Sequence, residues 1–483
     1  MKNKVSNMEI NAHERWAMGV KMKFINNTAK GCKGWFFCTV LAIALLAGCS
    51  APVTQEESIV TGREADNGVT QEPTVLVLAS FEDSPYLQRR VELYNQTHAD
   101  YQIEIKRYER SENMEEDGVL LIQREIVSGK GPDIINYGDD YATGDIAGAY
   151  TEDLFPYMGE DYQELYFGNI LKAFAYEESL YAVPLEFWLK SFAGRKDNLG
   201  ERSSWTIREM MECYHDYHEQ ESDRRLYPGA YKLDVFGAIL AGNMEYYIDW
   251  ESGECSFNGE EFCAVLEFCN EFSDHLELPD GYSSKQAYLD DKALLSYENI
   301  FSVYDVYESE YTFGGQEVTF IGFPVEGKNG TIIESFGPVL AISVGSKNKD
   351  AAWEFISECL SPSAQRELTF GFPICRVVLE ERIAEAMEIE YETDENGERK
   401  PVAKEQILFA GEDPVDIYNI TQKQADQLIA LIEQAEIRSQ PEWNIYNIFL
   451  EEVAYYFSGA KSLKETADVI QARVSIYVNE RIK

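Results

Sequence analysis

The 483-residue chain has few basic residues for its size: 42 Lys and Arg stand against 85 Asp and Glu, giving a formal net charge of −43. An acidic surface of this kind repels phosphate backbones and anionic lipid headgroups. Nucleic-acid binding and membrane attachment through basic patches are therefore not expected. The charge does not identify a ligand, because a strong net charge also favours solubility.

The sequence also lacks the short motifs of several enzyme and metal-site classes. Its five His residues are scattered, and it contains no His-Glu-x-x-His, Gly-x-Ser-x-Gly or Cys-x-x-Cys. We therefore expect no metal site, no cofactor and no hydrolase of the Ser/His/Asp elbow type. A glycosidase needs only paired carboxylates, which this chain has in excess, so a surface glycoside hydrolase stays open as an alternative.

The N-terminal region has the pattern of an export signal. Lysines precede an apolar run from Trp35 to Ala47, which is too short to span a bilayer and suits a signal-peptide core. Leu46-Ala47-Gly48-Cys49 resembles a bacterial lipobox. The sequence thus predicts a lipoprotein signal peptide over 1–48 and lipid attachment to Cys49. A flexible polar tether over 49–73 would then place the protein on the outer face of the cell membrane, expected in a Gram-positive bacterium.

Strand and helix signals alternate through the beginning of the body. Thr74–Ser80 has the apolar run of a buried strand, Ser84-Pro85 is a helix start, and Asp133–Tyr137 predicts a further strand. Strand–helix–strand order favours an α/β fold with mostly parallel sheets flanked by helices. Residues 376–424 are acidic and are interpreted as an irregular insertion with a turn at Asn396-Gly397.

Four short segments follow one another in order along the body of the chain. They are Gly129-Lys130-Gly131-Pro132-Asp133-Ile134-Ile135, Leu180-Tyr181-Ala182-Val183-Pro184, Val339 to Leu360, and Tyr456 to Glu480. This ordered set, which spans nearly the whole body of the chain, resembles the family 1 extracellular solute-binding proteins. That family consists of lipoproteins and periplasmic proteins and includes maltodextrin-binding proteins and Gram-positive sugar-binding lipoproteins.

The resemblance implies a two-lobed, type II periplasmic-binding-protein-like fold with a ligand cleft between the lobes. It places lobe 1 at 74–185 plus about 340–375, and lobe 2 at about 186–339 plus about 376–483. It further implies a monomeric substrate-binding component of an ABC importer, which captures a mono- or oligosaccharide by closure of the lobes and delivers it to a permease. A lipoprotein that presents its ligand to a membrane kinase is the second alternative.

A neutral sugar offers apolar ring faces and hydroxyl groups, which aromatic rings and carboxylates recognise. Such side chains are expected at strand ends that face the cleft. In the first lobe the alternative interpretation is a pair of solvated acidic loops with core tyrosines. The candidates from these loops are Glu82, Asp83, Tyr137, Asp139, Asp140 and Tyr141.

The other candidates lie at the crossover between lobes and in the second lobe. Alternation places Glu186 and Trp188 on one face of a strand, with hinge packing as the alternative role. The second-lobe segment lacks the Gly and Trp usual in the family, so Tyr297 or Phe301 would supply the stacking ring. The candidates from these regions are Glu186, Trp188, Trp250, Tyr297, Glu298, Phe301 and Phe336.

Overall fold

The structure is a computed structural model. It describes residues 72–111, 117–138, 145–276, 283–394, 396–408, 413–438 and 443–482. The strands, in chain order, are β1 Thr74–Ser80, β2 Tyr101–Arg107, β3 Ile134–Asn136, β4 Val183–Pro184, β5 Glu186–Arg195, β6 Ser296–Ile300, β7 Val318–Phe320, β8 Ile332–Glu334, β9 Val339–Ile342, β10 Phe372–Pro373, β11 Tyr391–Thr393, β12 Arg399–Pro401, β13 Glu405–Ile407, β14 Val415–Ile417 and β15 Ile437–Arg438.

The helices surround these strands. They are α1 Pro85–Thr97, α2 Gly118–Val127, α3 Asp145–Tyr150, α4 Phe155–Met158, α5 Tyr162–Leu165, α6 Gly168–Phe174, α7 Lys196–Leu199, α8 Ile207–Gln220, α9 Lys232–Leu240, α10 Glu260–Cys269, α11 Ser284–Leu289, α12 Asp305–Thr312, α13 Lys349–Leu360, α14 Pro362–Gln365, α15 Arg376–Met387, α16 Gln422–Gln434, α17 Trp443–Phe457 and α18 Leu463–Arg481.

The first sheet has the strand order β2-β1-β3-β9-β4. Strand β1 is parallel to β2 and β3, whereas β9 is antiparallel to β3 and β4. Leu76 and Leu78 on one face of β1 are fully buried, as is Ala79 on the other face. The Ser84 hydroxyl accepts a hydrogen bond from Leu87 N, and Pro85 opens α1, as the sequence predicts.

The second sheet is built around β5, whose ten residues are all buried. Strand β5 is antiparallel to β6, β7, β8 and β10, and only the pair β15–β8 is parallel. The expectation of mostly parallel strands therefore holds for the centre of the first sheet and not for the second. The difference arises because the strands that pair with β5 are antiparallel to it, whereas parallel neighbours need right-handed crossover connections.

In the part of the chain that the structure describes, three crossovers join the two sheets, and their backbones meet at Leu185, between β4 and β5. Leu185 N–H donates a hydrogen bond to Pro338 O over 3.0 Å, and Leu185 O accepts one from Ile374 N over 3.4 Å. Pro338 precedes β9 and Ile374 follows β10. The three chain segments that connect the sheets therefore lie side by side, and the loops around them flank the space between the lobes.

Apolar packing follows the alternation of β5. Phe187 and Leu189 belong to the core cluster that extends through the first sheet, whereas Phe192 belongs to a second cluster that contains the C-terminal helices. Ile445 and Phe449 on α17 are fully buried in the second cluster. Their spacing of four residues places both side chains on one face of the helix.

The interpretation of 376–424 as an irregular insertion is wrong. This region contains α15, the hairpins β11–β12 and β13–β14, and the start of α16. The strands of the first hairpin are exposed along their whole length, so no buried alternation marks them in the sequence. The predicted turn is present: Gly397 has a φ of +81°, and its N–H donates to Asp394 O over 2.9 Å.

Two observations concern the described residues alone. Their six cysteines are all free thiols, and no group of three or more His, Cys, Asp or Glu there is arranged to hold a metal ion. Within the same ranges, no helix combines the length and the apolar character needed to cross a bilayer.

Replacing Phe449 with Ala should lower the free energy of unfolding by about 3–5 kcal/mol, because it removes a large buried side chain and leaves a cavity. The ring lies 5.1 Å from Phe257 and 6.1 Å from Phe262, centre to centre. Tyr455→Ala on the same helix is the control, since Tyr455 is 49% exposed and should change stability little. Urea unfolding of the two variants measures the difference, and equal midpoints would contradict this packing.

Candidate functional site

One face of the second sheet meets the crossovers. Trp188 pairs with Glu334, and Lys190 pairs with Asn299. Because side chains alternate along a strand and paired residues share a face, these four side chains belong to the same face of the sheet. Phe301, the next residue beyond β6 opposite Trp188, continues this face.

Four aromatic rings, Trp188, Phe301, Phe336 and Phe370, form what we call the aromatic cluster. Phe336 stacks on Trp188 with ring centres 4.8 Å apart and an interplanar angle of 21°. Phe301 lies 5.3 Å from Trp188, and Phe370 lies 5.1 Å from Phe301 and 5.7 Å from Phe336. Trp188 is fully buried beneath the other three rings, which are partly exposed.

Glu186 is 3% exposed and lies between two glycines of neighbouring crossovers. A Cβ at Gly337 would lie 2.5 Å from Glu186 Cγ, and one at Gly371 would lie 3.1 Å from Glu186 Oε2. Gly371 also has a φ of +67°, which other residues rarely adopt. A side chain at either position would therefore take up space that the Glu186 side chain occupies.

Charged groups flank the aromatic cluster. Lys190 and Glu334 form an ion pair, and Lys190 Nζ lies 5.0 Å from the ring centre of Trp188. Arg382 on α15 donates hydrogen bonds to Gly371 O and Leu368 O. Burial lowers the pKa of the Arg382 guanidinium, and the nearby Glu186 carboxylate partly opposes that shift.

On the first sheet, a buried amide fixes the loop that follows β3. Asn136 Oδ1 accepts hydrogen bonds from Gly138 N at 3.2 Å and Val339 N at 3.1 Å, and its Nδ2 donates to Ser80 Oγ at 3.1 Å. A Cβ at Gly138 would lie 3.2 Å from Glu82 Oε1, so the loops after β1 and β3 are in contact. Val339, whose N–H donates to Asn136 Oδ1, begins β9 two residues after Gly337, which lies against Glu186. The same crossover therefore contacts both the Asn136 amide and the Glu186 side chain.

The structure brings four of the candidate residues together at the crossovers: Glu186 and the three rings Trp188, Phe301 and Phe336. Glu82 lies at the carboxyl edge of the first sheet beside the loop that contains Tyr137, and burial raises the pKa of the Tyr137 hydroxyl. Asp83 is exposed, 3.4 Å from Arg107 Nη1. Cys49, Asp139, Asp140 and Tyr141 lie outside the described residues.

The other candidates lie elsewhere in the second lobe. Glu298 is on the opposite face of β6 from Phe301 and accepts a hydrogen bond from Ser309 Oγ over 2.8 Å. Tyr297 packs edge-on against Phe192 and Phe323 and is 40% exposed. Trp250 packs on the second core cluster, in the turn between the bridged residues Ile248 and Cys255.

Sequence reasoning missed several groups at the site: Lys190, Asn299, Glu334, Phe370 and Arg382. Alternation on either side of the chosen residues could have indicated Lys190 and Asn299, which follow Trp188 and precede Phe301 by two positions. Phe370 and Arg382 reach the site only through tertiary packing of the third crossover and α15. No local signal marks them.

Among curated proteins, no sequence matches the chain. Solved structures show a similar fold. The sugar-binding protein MalE from Xanthomonas citri is 14% identical with a TM-score of 0.53, and the match covers 84% of this chain and 98% of MalE. An extracellular solute-binding protein family 1 member from Alicyclobacillus acidocaldarius is 12% identical with a TM-score of 0.52, covering 84% and 99%.

The solved structure of the de novo designed cysteine esterase ECH19 is similar to the same degree, with 12% identity, a TM-score of 0.52 and coverage of 86% of this chain and 100% of the esterase. At these identities each likeness shows the fold alone, and the two-lobed α/β fold that the sequence predicts is confirmed. A model of the bacterial extracellular solute-binding protein family matches residues 90–375. Since this match covers more than half of the sequence, the chain belongs to the bacterial extracellular solute-binding protein family.

Proposed function

We propose that the protein captures a mono- or oligosaccharide between its two lobes and delivers it to the permease of an ABC importer. The observation that carries this proposal is the aromatic cluster beside the Glu186 carboxylate at the junction of the sheets. Aromatic rings pack against the apolar faces of a sugar, and a carboxylate accepts hydrogen bonds from its hydroxyls. The similar solved structure of MalE, a sugar-binding protein, supports the same ligand class.

The position of these groups supports capture by closure. Glu186 and the aromatic cluster belong to the second sheet and the crossovers, whereas Glu82 and Tyr137 follow strands of the first sheet. A ligand that contacts both sets stabilises the closed arrangement of the lobes over the open one. We propose that Glu82, Tyr137 and the adjoining residues Asp139, Asp140 and Tyr141 provide the contacts from the first lobe.

The charges favour a neutral, hydroxylated ligand over an anionic one. Lys190 is neutralised by its ion pair with Glu334, and Glu186 adds a further carboxylate beside the cluster. A carboxylate accepts hydrogen bonds when it is ionised and repels another anion at short distance. Sugars without acidic groups therefore fit this set of side chains better than sugar phosphates or uronates.

Two alternatives use the same fold for another purpose. A ligand-presenting lipoprotein would have a membrane kinase gene as its neighbour instead of permease genes. A surface glycoside hydrolase would release the chromophore from a chromogenic glycoside. We propose the transport role, without catalysis, because the family is one of solute-binding proteins.

Thermal unfolding in the presence of glucose, xylose, maltose, maltotriose, amino acids and short peptides tests the ligand class. A ligand at about 100 times its Kd should add about 2.7 kcal/mol of stability, a shift of a few degrees for a protein of this size. We expect one sugar class to give this shift, and Trp188→Leu to abolish it because the cluster loses its central ring.

Trp353→Leu is the matched control, since Trp353 is a partly exposed Trp that packs against Tyr157 on the first lobe. It should keep the full sugar-dependent shift even if its own melting temperature falls. If only peptides raise the melting temperature, the ligand is not a sugar, and the transport role stands. Hydrolysis of a glycoside without any shift would favour the enzyme.

We also propose that the protein is held on the outer face of the cell membrane by a lipid on Cys49. The support is the sequence Leu46-Ala47-Gly48-Cys49 after an apolar run. Cys49→Ser should move the protein from the membrane fraction to the soluble fraction of cells that carry out lipoprotein processing. Cys263→Ser, at a thiol in the folded body, should leave the distribution unchanged. Retention of the Cys49 variant in membranes would contradict the anchor.

A further inference from the structure

The ring of Phe336 covers the side chain best placed to stack on a sugar. Its ring plane is within 21° of that of Trp188 at a centre-to-centre distance of 4.8 Å, and Trp188 has no exposed surface. Offset stacking of this kind is the geometry with which a sugar ring also packs on an indole. In the state that the structure describes, Phe336 therefore occupies a face of Trp188 that a sugar ring would use.

Two complementary polar atoms are buried on the same face of the second sheet. Trp188 Nε1, a donor, and Asn299 Oδ1, an acceptor, have no hydrogen-bond partner among the residues that the structure describes. Asn299 pairs with Lys190, one alternation step along from Trp188, so the two side chains are diagonal neighbours on one sheet face. Buried polar groups nearly always form hydrogen bonds, because a buried donor or acceptor without a partner destabilises the fold. A hydroxyl group, which both accepts and donates, matches this pair.

The segment that carries Phe336 is itself part of the connection between the lobes. Ser335, Phe336 and Gly337 lie between the end of β8 and the start of β9, outside regular pairing. Ser335 Oγ is likewise buried without a hydrogen-bond partner in the described part of the chain. Because this crossover connects the lobes, a change in the angle between the lobes can move the Phe336 ring relative to Trp188.

From these contacts we infer that the Phe336 ring occupies the position on Trp188 that the ring of a bound sugar takes. We further infer that Trp188 Nε1 and Asn299 Oδ1 together recognise one hydroxyl of that sugar. Binding displaces the Phe336 ring from Trp188, the sugar ring takes its place, and a hydroxyl accepts from Trp188 Nε1 while donating to Asn299 Oδ1. Asn299 is then a residue that determines specificity, and Phe336 lowers affinity by competing for the same surface. The inference rests on the proposed sugar-binding function.

Isothermal titration of the purified protein with glucose, xylose, maltose and maltotriose tests this inference. For whichever of these sugars binds the wild type, Phe336→Ala should tighten the Kd by about 3- to 10-fold, because no ring has to leave Trp188. Asn299→Ala should weaken it by about 3- to 10-fold, because the hydroxyl loses its acceptor. Asn258→Ala, at an exposed Asn of the second lobe, should change the Kd less than twofold.

The outcomes separate the inference from the function. If a sugar binds the wild type but Phe336→Ala weakens it, Phe336 is an ordinary ligand contact and the inference fails while the function stands. Wild-type affinity in Asn299→Ala has the same meaning for the hydroxyl pair. If none of the sugars binds the wild type, the proposed function and the inference fail together. Should Phe336→Ala not fold, Phe336→Leu retains most of the volume without the aromatic face and is expected to tighten binding in the same direction.

Discussion

The structure depends on the backbone of Leu185, whose N–H and C=O bind the other two crossovers. Its N–H bond to Pro338 ties the β4–β5 connection to the segment before β9, and its C=O bond to Ile374 adds the connection after β10. Each bond satisfies a buried backbone group that has no sheet partner at the point where the chain changes sheets. The lobes are thus joined through three adjacent segments. Their relative motion is therefore limited to rotation about the place where these segments meet.

The site follows from that junction. Glu186 follows Leu185 directly and Trp188 lies two residues further on, while Phe336 and Gly337 are the two residues before Pro338. The crossovers can lie this close only because Gly337 and Gly371 have no side chains to meet Glu186. A buried carboxyl group beside aromatic rings is unfavourable for stability alone, and its place next to the crossovers is the reason that we propose a role for it in ligand recognition. The crossover before Pro338 also carries the Phe336 ring, so the proposed binding and the proposed closure of the lobes would involve the same residues.

Much of this organisation could be predicted from the sequence, since local rules decide it. The Ser84-Pro85 helix start, the Thr206–Glu209 and Ser462–Glu465 capping boxes and the inner face of the C-terminal helices depend on neighbouring residues alone. Alternation also placed Glu186 with Trp188. The register of β5 against β6 and β8, and with it Asn299 and Glu334, depends on pairing between distant segments and could not be predicted. The exposed hairpin β11–β12 left no apolar pattern to detect.

We propose that a sugar binds at the crossovers and contacts both sheets. Amide hydrogen exchange, with and without the sugar that stabilises the protein most, tests it directly. We expect slower exchange at Gly138, beside the first sheet, and at 186–190 and 335–337, in and beside the second, with little change in the exposed hairpin β11–β12. Protection confined to one lobe, or centred on a surface far from Leu185, would contradict it.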